Sequence, residues 1–279
     1  MNLQLYKSRK RTNLFHLLMT CFTMCFGLFW LGWIFTTLFS HGLSGIQLSL
    51  FQLDTPPSGN IGGLRNAIIG SLMIISLGLC IGTPLGILCG IYLAEFGEHS
   101  RLAKATRFIN DILLSAPSII IGLFVYQLAV IPQGHFSGWA GSLALSLLVV
   151  PVVVKTTENM LRLVPNSLRE AAYALGTPKW KLVTVVTMRA AKAGILTGIL
   201  LSFARISGET APLLFTALNN QFLTKNMNQP MANLPNVIFQ YAMSPYDSDH
   251  QLAWAAALLI ALTVLLANIA ARYLNRPHA

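Results

Sequence analysis

Arg205 and Glu209 stand four residues apart in the stretch Ala204-Arg-Ile-Ser-Gly-Glu-Thr-Ala-Pro212, inside an apolar run from Ala193 to Leu218. They are the only charged side chains deep in any apolar segment of the chain. A charge near the middle of a bilayer costs about 2.5–3.5 kcal/mol on insertion scales, a cost that ordinary span-building does not require. The i, i+4 spacing predicts both side chains on one helical face, able to pair. Two readings fit. One is a structural ion pair that pins two helices. The other is an anion site, because a guanidinium offers a rigid fork of donors suited to the oxygens of an oxyanion. Glu209 would then hold Arg205 and moderate its grip on the anion. Ser207 and Thr210 are candidate hydroxyl donors to the same ligand, although such hydroxyls also bond their own helix backbone. Arg65 and Asn66 could steer anions inward, with a snorkelling Arg65 as the plainer reading. Lys155 reads as an interface anchor.

A second set of residues lies in the basic loop 159–192, within Pro165-Asn-Ser-Leu-Arg-Glu-Ala-Ala-Tyr-Ala-Leu-Gly-Thr-Pro178. Ser167 and Glu170 match a Ser-x-x-Glu capping box. Ala171 and Ala172 favour helix. Gly176 suits the left-handed position just past a helix end. Thr177 can cap a second helix with Pro178 at its first position. The pattern predicts two short helices with a small-residue face. It fits a docking element for a cytoplasmic partner or a plain helical linker; a DNA-reading helix-turn-helix is disfavoured by the flanking apolar spans.

The elements that must position these residues are membrane helices. The chain has 279 residues, 54% apolar and only 10% charged, against about 25% charged in soluble proteins. Apolar segments run from Leu14 to Phe39 and over 66–94, 112–131, 136–154, 193–218 and 252–271. Each reaches or approaches the roughly 20 residues that cross a bilayer core. The prediction is an all-α polytopic membrane bundle of about six transmembrane helices. Residues 1–13 form a basic cytoplasmic N-terminus, 14–274 a single transmembrane domain, and 275–279 a cytoplasmic tail. Gly82-Thr-Pro84, Pro117 and Pro151 are expected to kink or interrupt their spans.

The net charge of +10 does not point to nucleic acid, because the basic residues fall in short segments between apolar runs. Alternate segments hold 15 of the 19 Lys and Arg, which puts both termini and the loop 159–192 in the cytoplasm. The four cysteines, all in apolar runs, read as packed thiols rather than a disulfide framework. Six scattered histidines give no metal-ligand spacing. The chain contains no Gly-x-x-x-x-Gly-Lys-Ser/Thr, no His-Glu-x-x-His and no Gly-x-Ser-x-Gly, so no catalytic residue is assigned.

Glu170-Ala-Ala-x-x-x-Gly176 resembles the EAA loop of bacterial ABC-importer permeases. Val186 fits that motif's aliphatic position, whereas Met188 and Arg189 stand where it has Leu-Pro. Gly82-Thr-Pro-Leu-Gly86, Ile91-Tyr-Leu-Ala-Glu-Phe96, Ala116-Pro-Ser-Ile-Ile-Ile-Gly-Leu-Phe124 and above all Ala204-Arg-Ile-Ser-Gly-Glu-Thr-Ala-Pro212 are similar to the PstA family of phosphate-specific permeases. The resemblance implies a multi-pass protein of the bacterial inner membrane. It also implies a partner permease (PstC-like), an ATPase dimer (PstB-like) and a periplasmic phosphate-binding protein (PstS-like). ATP and Mg would then reside on the ATPase, with no cofactor in this chain. Ser167, Glu170, Ala171, Ala172 and Gly176 would be the ATPase-coupling residues, and the family's transport-linked arginine matches Arg205. A permease for molybdate or sulfate, and a non-transporting scaffold or signalling subunit, are the competing readings.

Overall fold

The computed structural model describes residues 3–97 and 100–274. Residues 1 and 2, His99, and the expected tail 275–279 with Arg276 and His278 lie outside the described residues. In chain order the helices are α1 (Leu3–Gly45), α2 (Ser49–Gln52), α3 (Arg65–Ile91), α4 (Arg101–Ser115), α5 (Ser118–Val125), α6 (Ile131–Gln133) and α7 (Gly138–Arg162). There follow α8 (Asn166–Ala174), α9 (Lys179–Lys181), α10 (Met188–Ser207), α11 (Ala211–Leu214), α12 (Leu234–Ala242) and α13 (Asp247–Leu274). π-helical turns at Tyr92–Phe96, Tyr126–Val130 and Leu182–Thr187 extend α3, join α5 to α6 and join α9 to α10.

Among the described residues, five helical stretches are long and apolar enough to cross a membrane: Arg9–Gly45, Arg65–Phe96, Gly138–Arg162, Lys179–Ser207 and Asp247–Tyr273. A sixth is made if α4 and the α5–α6 stretch, bent by 107°, count as one span. The expected third segment, 112–131, is therefore not one straight helix. Pro117 excludes helical backbone at Ala116, whose ψ is 134°, and the chain turns there. Pro151, where an interruption was also expected, sits inside a continuous helix, as does Pro84 at the expected kink. The expected fifth span is cut short as well: α10 stops at Ser207 rather than continuing to Leu218.

The centre of the bundle is a parallel contact between α3 and α7, made by a glycine every four residues. A Cβ on Gly78, Gly82, Gly86 or Gly90 would lie 3.1, 2.9, 2.7 or 2.6 Å from the Cβ of Leu145, Val149, Val153 or Thr157. The bare backbone lets the two helices approach closely, which is the main source of helix association where no hydrophobic effect separates protein from lipid. α10 packs antiparallel on α7, with Gly194 against Met160 and Gly198 against Thr156. α1 touches the bundle near its C-terminal end, through Gly42 and Gly45 on α13 and His41 stacked on Trp254. The cysteines are free, and Cys21, Cys25 and Cys80 lie on outward helix faces, which corrects the expectation of packed thiols. Their helices present these faces to lipid or partner rather than to the bundle interior.

Candidate functional site

Arg205 occupies the last turn of α10, and Glu209 lies beyond the helix end. The pair is therefore not made on one helical face as predicted. The backbone leaves the helix at Gly208, and Glu209 turns back so that its Oε1 lies 3.6 Å from Arg205 Nε. The Arg205 side chain is 36% exposed and that of Glu209 16%. A cation in the last turn suits the partial negative charge of a helix C-terminus, whereas a carboxylate there is opposed by it. The helix end thus favours Arg205 and opposes Glu209, while the attraction between the two is mutual.

The antiparallel register with α7 sets the depth of this helix end. Continuing the pairs Gly194–Met160 and Gly198–Thr156 places Arg205 roughly level with Val149, near the midpoint of α7. Helix α10 consequently ends in mid-span. Irregular backbone at that depth is tolerated only where protein buries it or water lines it. Here protein covers the chain from Pro212 onward, whereas Gly208 at the break is exposed. Pro212 of α11 packs against Gly122 of α5, and Leu213 against Gly141 of α7. The Leu213 and Leu214 amides donate to the Thr210 carbonyl at 3.1 Å each, and the Thr216 hydroxyl donates to the Pro212 carbonyl at 2.7 Å. Leu213, Ala217 and Ile206 join the core around Ile74, Leu145 and Val149.

The four predicted pathway residues diverge in role. Arg205 and Glu209 come together. Ser207 is buried, and its hydroxyl donates to the Phe203 carbonyl at 2.7 Å. Thr210 is half-buried at the break, where its carbonyl starts α11. Arg65 does not stand free: its Nε pairs with Asp54 at 2.9 Å. Asp54 also accepts the Leu223 amide at 3.1 Å, and Asn66 donates to Thr55 and to the Asn220 carbonyl, tying together two loops at this end of the bundle. The Arg65 hydrogen bond holds the Asp54 carboxyl below the ordinary range, opposed by its burial and aided by the Leu223 amide. Lys155 pairs with Asp111 at 3.0 Å, both well exposed.

The coupling-loop residues surround α8. Gly176 has φ +74°, as predicted. The Thr177 amide reaches the Ala172 carbonyl and the Gly176 amide the Tyr173 carbonyl, at 3.1 and 2.9 Å, which is the Schellman arrangement. The capping box is not formed. α8 begins at Asn166, with Pro165 in the capping position, so Ser167 already lies inside the first turn. Pro178, not Thr177, precedes the next helix. With no proline ring at Arg189, that helix runs unbroken from Lys179 to Ser207. Ala172 is the one buried member of the set, on Leu182 and Val183; Ser167, Glu170, Ala171 and Gly176 are exposed.

Reading the sequence missed the ion network at this same end. Glu158, with a 6% exposed side chain, takes Arg107 at 2.7 Å and Arg162 at 2.8 Å. Arg107 also donates to the Leu93 carbonyl, which fastens α4 to α7 and to the end of α3. Arg169 of α8 reaches Glu95 at 2.9 Å. The i, i+4 spacing of Glu158 and Arg162 was a usable signal; the partners 51 and 74 residues away in sequence left none.

Residues 82–277 match the family described as "Binding-protein-dependent transport system inner membrane component". The chain belongs to this family. Its curated relatives include the "Phosphate transport system permease protein PstA" of Pasteurella multocida, 57% identical over 96% of this chain and 95% of that protein. The protein of the same name from Yersinia pestis is 59% identical over 95% of this chain and 90% of its own length. Among solved structures, a bacterial ABC transporter involved in import of the acidic polysaccharide alginate matches 98% of this chain and 100% of its own, with a TM-score of 0.64 at 18% identity. The inward-facing MetNI methionine ABC transporter matches 75% of this chain and 94% of its own, with a TM-score of 0.60 at 19% identity. The fold is thus that of an ABC-importer permease, and the chain is a multi-pass inner membrane component of a transport system. The broken span carrying Arg205 and the α8 loop both lie inside the matched residues.

Proposed function

We propose that this chain is the membrane permease subunit of an ATP-driven importer of inorganic phosphate, forming part of the translocation pathway. The observation that carries the reading is the identity of 57–59% to permease proteins of phosphate transport systems over 95–96% of the chain. The chemistry of the broken span agrees with it. Arg205 offers a guanidinium at mid-span whose contact with Glu209 is too long for a strong hydrogen bond, leaving donors for an oxyanion. Glu209 competes with the cargo for that guanidinium and keeps binding reversible. Thr210, half-buried at the break, is the hydroxyl candidate kept for the ligand; Ser207 supports the helix end.

The exposed residues Ser167, Glu170, Ala171 and Gly176 form the face through which a separate ATPase drives alternating access, with Ala172 anchoring α8 from behind. ATP and Mg belong to that PstB-like dimer, since this chain has no phosphate-binding loop of the ATPase type. A PstC-like permease completes the pathway and a PstS-like protein delivers phosphate at the end of the bundle that holds Asp54 and Arg65. The distribution of Lys and Arg supports an orientation with both termini and α8 in the cytoplasm.

The test is uptake competition in cells that carry the complete transporter, with and without this chain. Deletion should abolish high-affinity phosphate uptake and complementation restore it, with excess molybdate or sulfate failing to compete. Unchanged phosphate uptake, with loss of another oxyanion's uptake, would overturn the substrate assignment.

A further inference from the structure

Arg169 is the least exposed of the cations in the described basic ion network, at 17%. Its Nη2 donates to Glu95 Oε1 at 2.9 Å and to the Leu161 carbonyl at 2.8 Å, and its Nη1 donates to the Val164 carbonyl. Glu95 is itself 6% exposed and lies in the π-helical turn that ends the α3 span. One side chain therefore joins three things: α8, the C-terminal turn of α7 and the end of α3. Among the described residues, the other hold of α8 on α3 is apolar: Ala172 packs with Leu182 and Val183 in a cluster that Ile91, at the end of α3, also joins. α8 is linked to α7 through residues 163–165 and to α9 through 175–178, both non-helical, and its buried residue Ala172 faces the start of the α10 span.

We infer that Arg169 is a positioning residue that makes α8 move as one body with α3 and α7, so that displacement of the coupling helix reaches the pathway. The proposal rests on the reading of α8 as the ATPase-coupling face. A saturated guanidinium is suited to the task. Its fork is rigid, and its donors are directed at fixed carbonyls as well as at a carboxylate. The sequence of movements follows from the contacts. Force applied at the exposed side of α8 passes through Arg169 to Glu95 and hence to α3, the helix whose glycine face lies against the centre of α7. A packing contact alone, such as that of Ala172, permits α8 to slide.

The experiment uses the complete transporter in proteoliposomes and reads phosphate transported per ATP hydrolysed, alongside the ATPase retained on purification. Arg169→Gln should retain the ATPase and its hydrolysis but lower phosphate moved per ATP by about tenfold, the scale of a lost charged hydrogen bond. Arg169→Lys, which keeps the charge but not the fork, should fall between. Glu95→Gln, which keeps the carbonyl contacts and weakens the ion pair, should also lose coupling. Parent-like coupling in Arg169→Gln would overturn the proposal. If that variant does not accumulate, parent-like coupling in both Arg169→Lys and Glu95→Gln would overturn it. Glu170→Lys serves as the separate control on the underlying reading. Normal ATPase retention and transport in Glu170→Lys would remove α8 as the coupling face, whereas loss there with parent-like Arg169 variants would remove only the latch.

Discussion

The charges at the basic end of the bundle and the charges at its middle are built in opposite ways. At the basic end Glu158 is nearly covered and holds two guanidiniums at 2.7 and 2.8 Å, one of which also bonds a backbone carbonyl. At the middle, Arg205 meets Glu209 at 3.6 Å and remains 36% exposed. The first arrangement covers its carboxylate and holds it at full hydrogen-bond distance; the second does neither. A charge that serves the fold is closed in by partners, because an unpaired buried charge is costly. A charge that serves a passing ligand has to keep donors unspent between ligands. The contrast supports the anion-site reading proposed for Arg205 and Glu209 over the structural pair.

The largest loss of stability is expected from Glu158→Ala. It strips the shared carboxylate from Arg107 and Arg162 and should destabilise the subunit by about 3 kcal/mol, in the range for breaking a buried pair. Thermal unfolding in mild detergent measures it. Arg162→Gln, which removes the more exposed partner, should cost about 0.5 kcal/mol. Equal losses from the two would erase the distinction between covered and exposed charge. Next in size is Gly86→Ala. The added Cβ would lie 2.7 Å from that of Val153, so α3 and α7 must separate. A cost of about 1–3 kcal/mol is expected for such overpacking. The same substitution at Gly176, which has open space around it, should cost only the left-handed backbone, about 1 kcal/mol.

A smaller effect is expected where Asp54 meets Arg65. The folded state holds the Asp54 carboxyl below its unfolded value, chiefly through the Arg65 hydrogen bond. Its stabilisation is therefore full above the ordinary carboxylate range and is lost as pH falls through the folded value. Asp54→Asn should lower stability by up to about 1 kcal/mol at neutral pH and flatten the acid limb of the unfolding curve. An unchanged acid limb would mean that Asp54 is not held by Arg65 in solution.

Much of this architecture was legible because it is local. The apolar segments, the left-handed Gly176 and the alternation of basic loops all follow from neighbouring residues. Three features were not. The end of α10 at Ser207 was hidden because Ile206 and the apolar residues of 211–218 continue the hydrophobic run, and only packing of Pro212 on Gly122 and Leu213 on Gly141 makes room for the break. The failed capping box turned on a single residue: Pro165 took the capping position two residues ahead of Ser167. The partners of Arg107 and Arg169 lie 51 and 74 residues away, beyond any spacing rule.

The most direct test of the contrast is the neutral double variant Arg205→Gln with Glu209→Gln, read as radiolabelled phosphate uptake per assembled complex. Neither side chain is then an orphan charge, so assembly and unfolding should match the parent. Uptake should nonetheless fall by about 10–100-fold, the scale of a lost charged hydrogen bond to the cargo, with Arg205→Lys between the two. Substantial uptake by the assembled double variant would make Arg205 and Glu209 a structural pair and contradict the account.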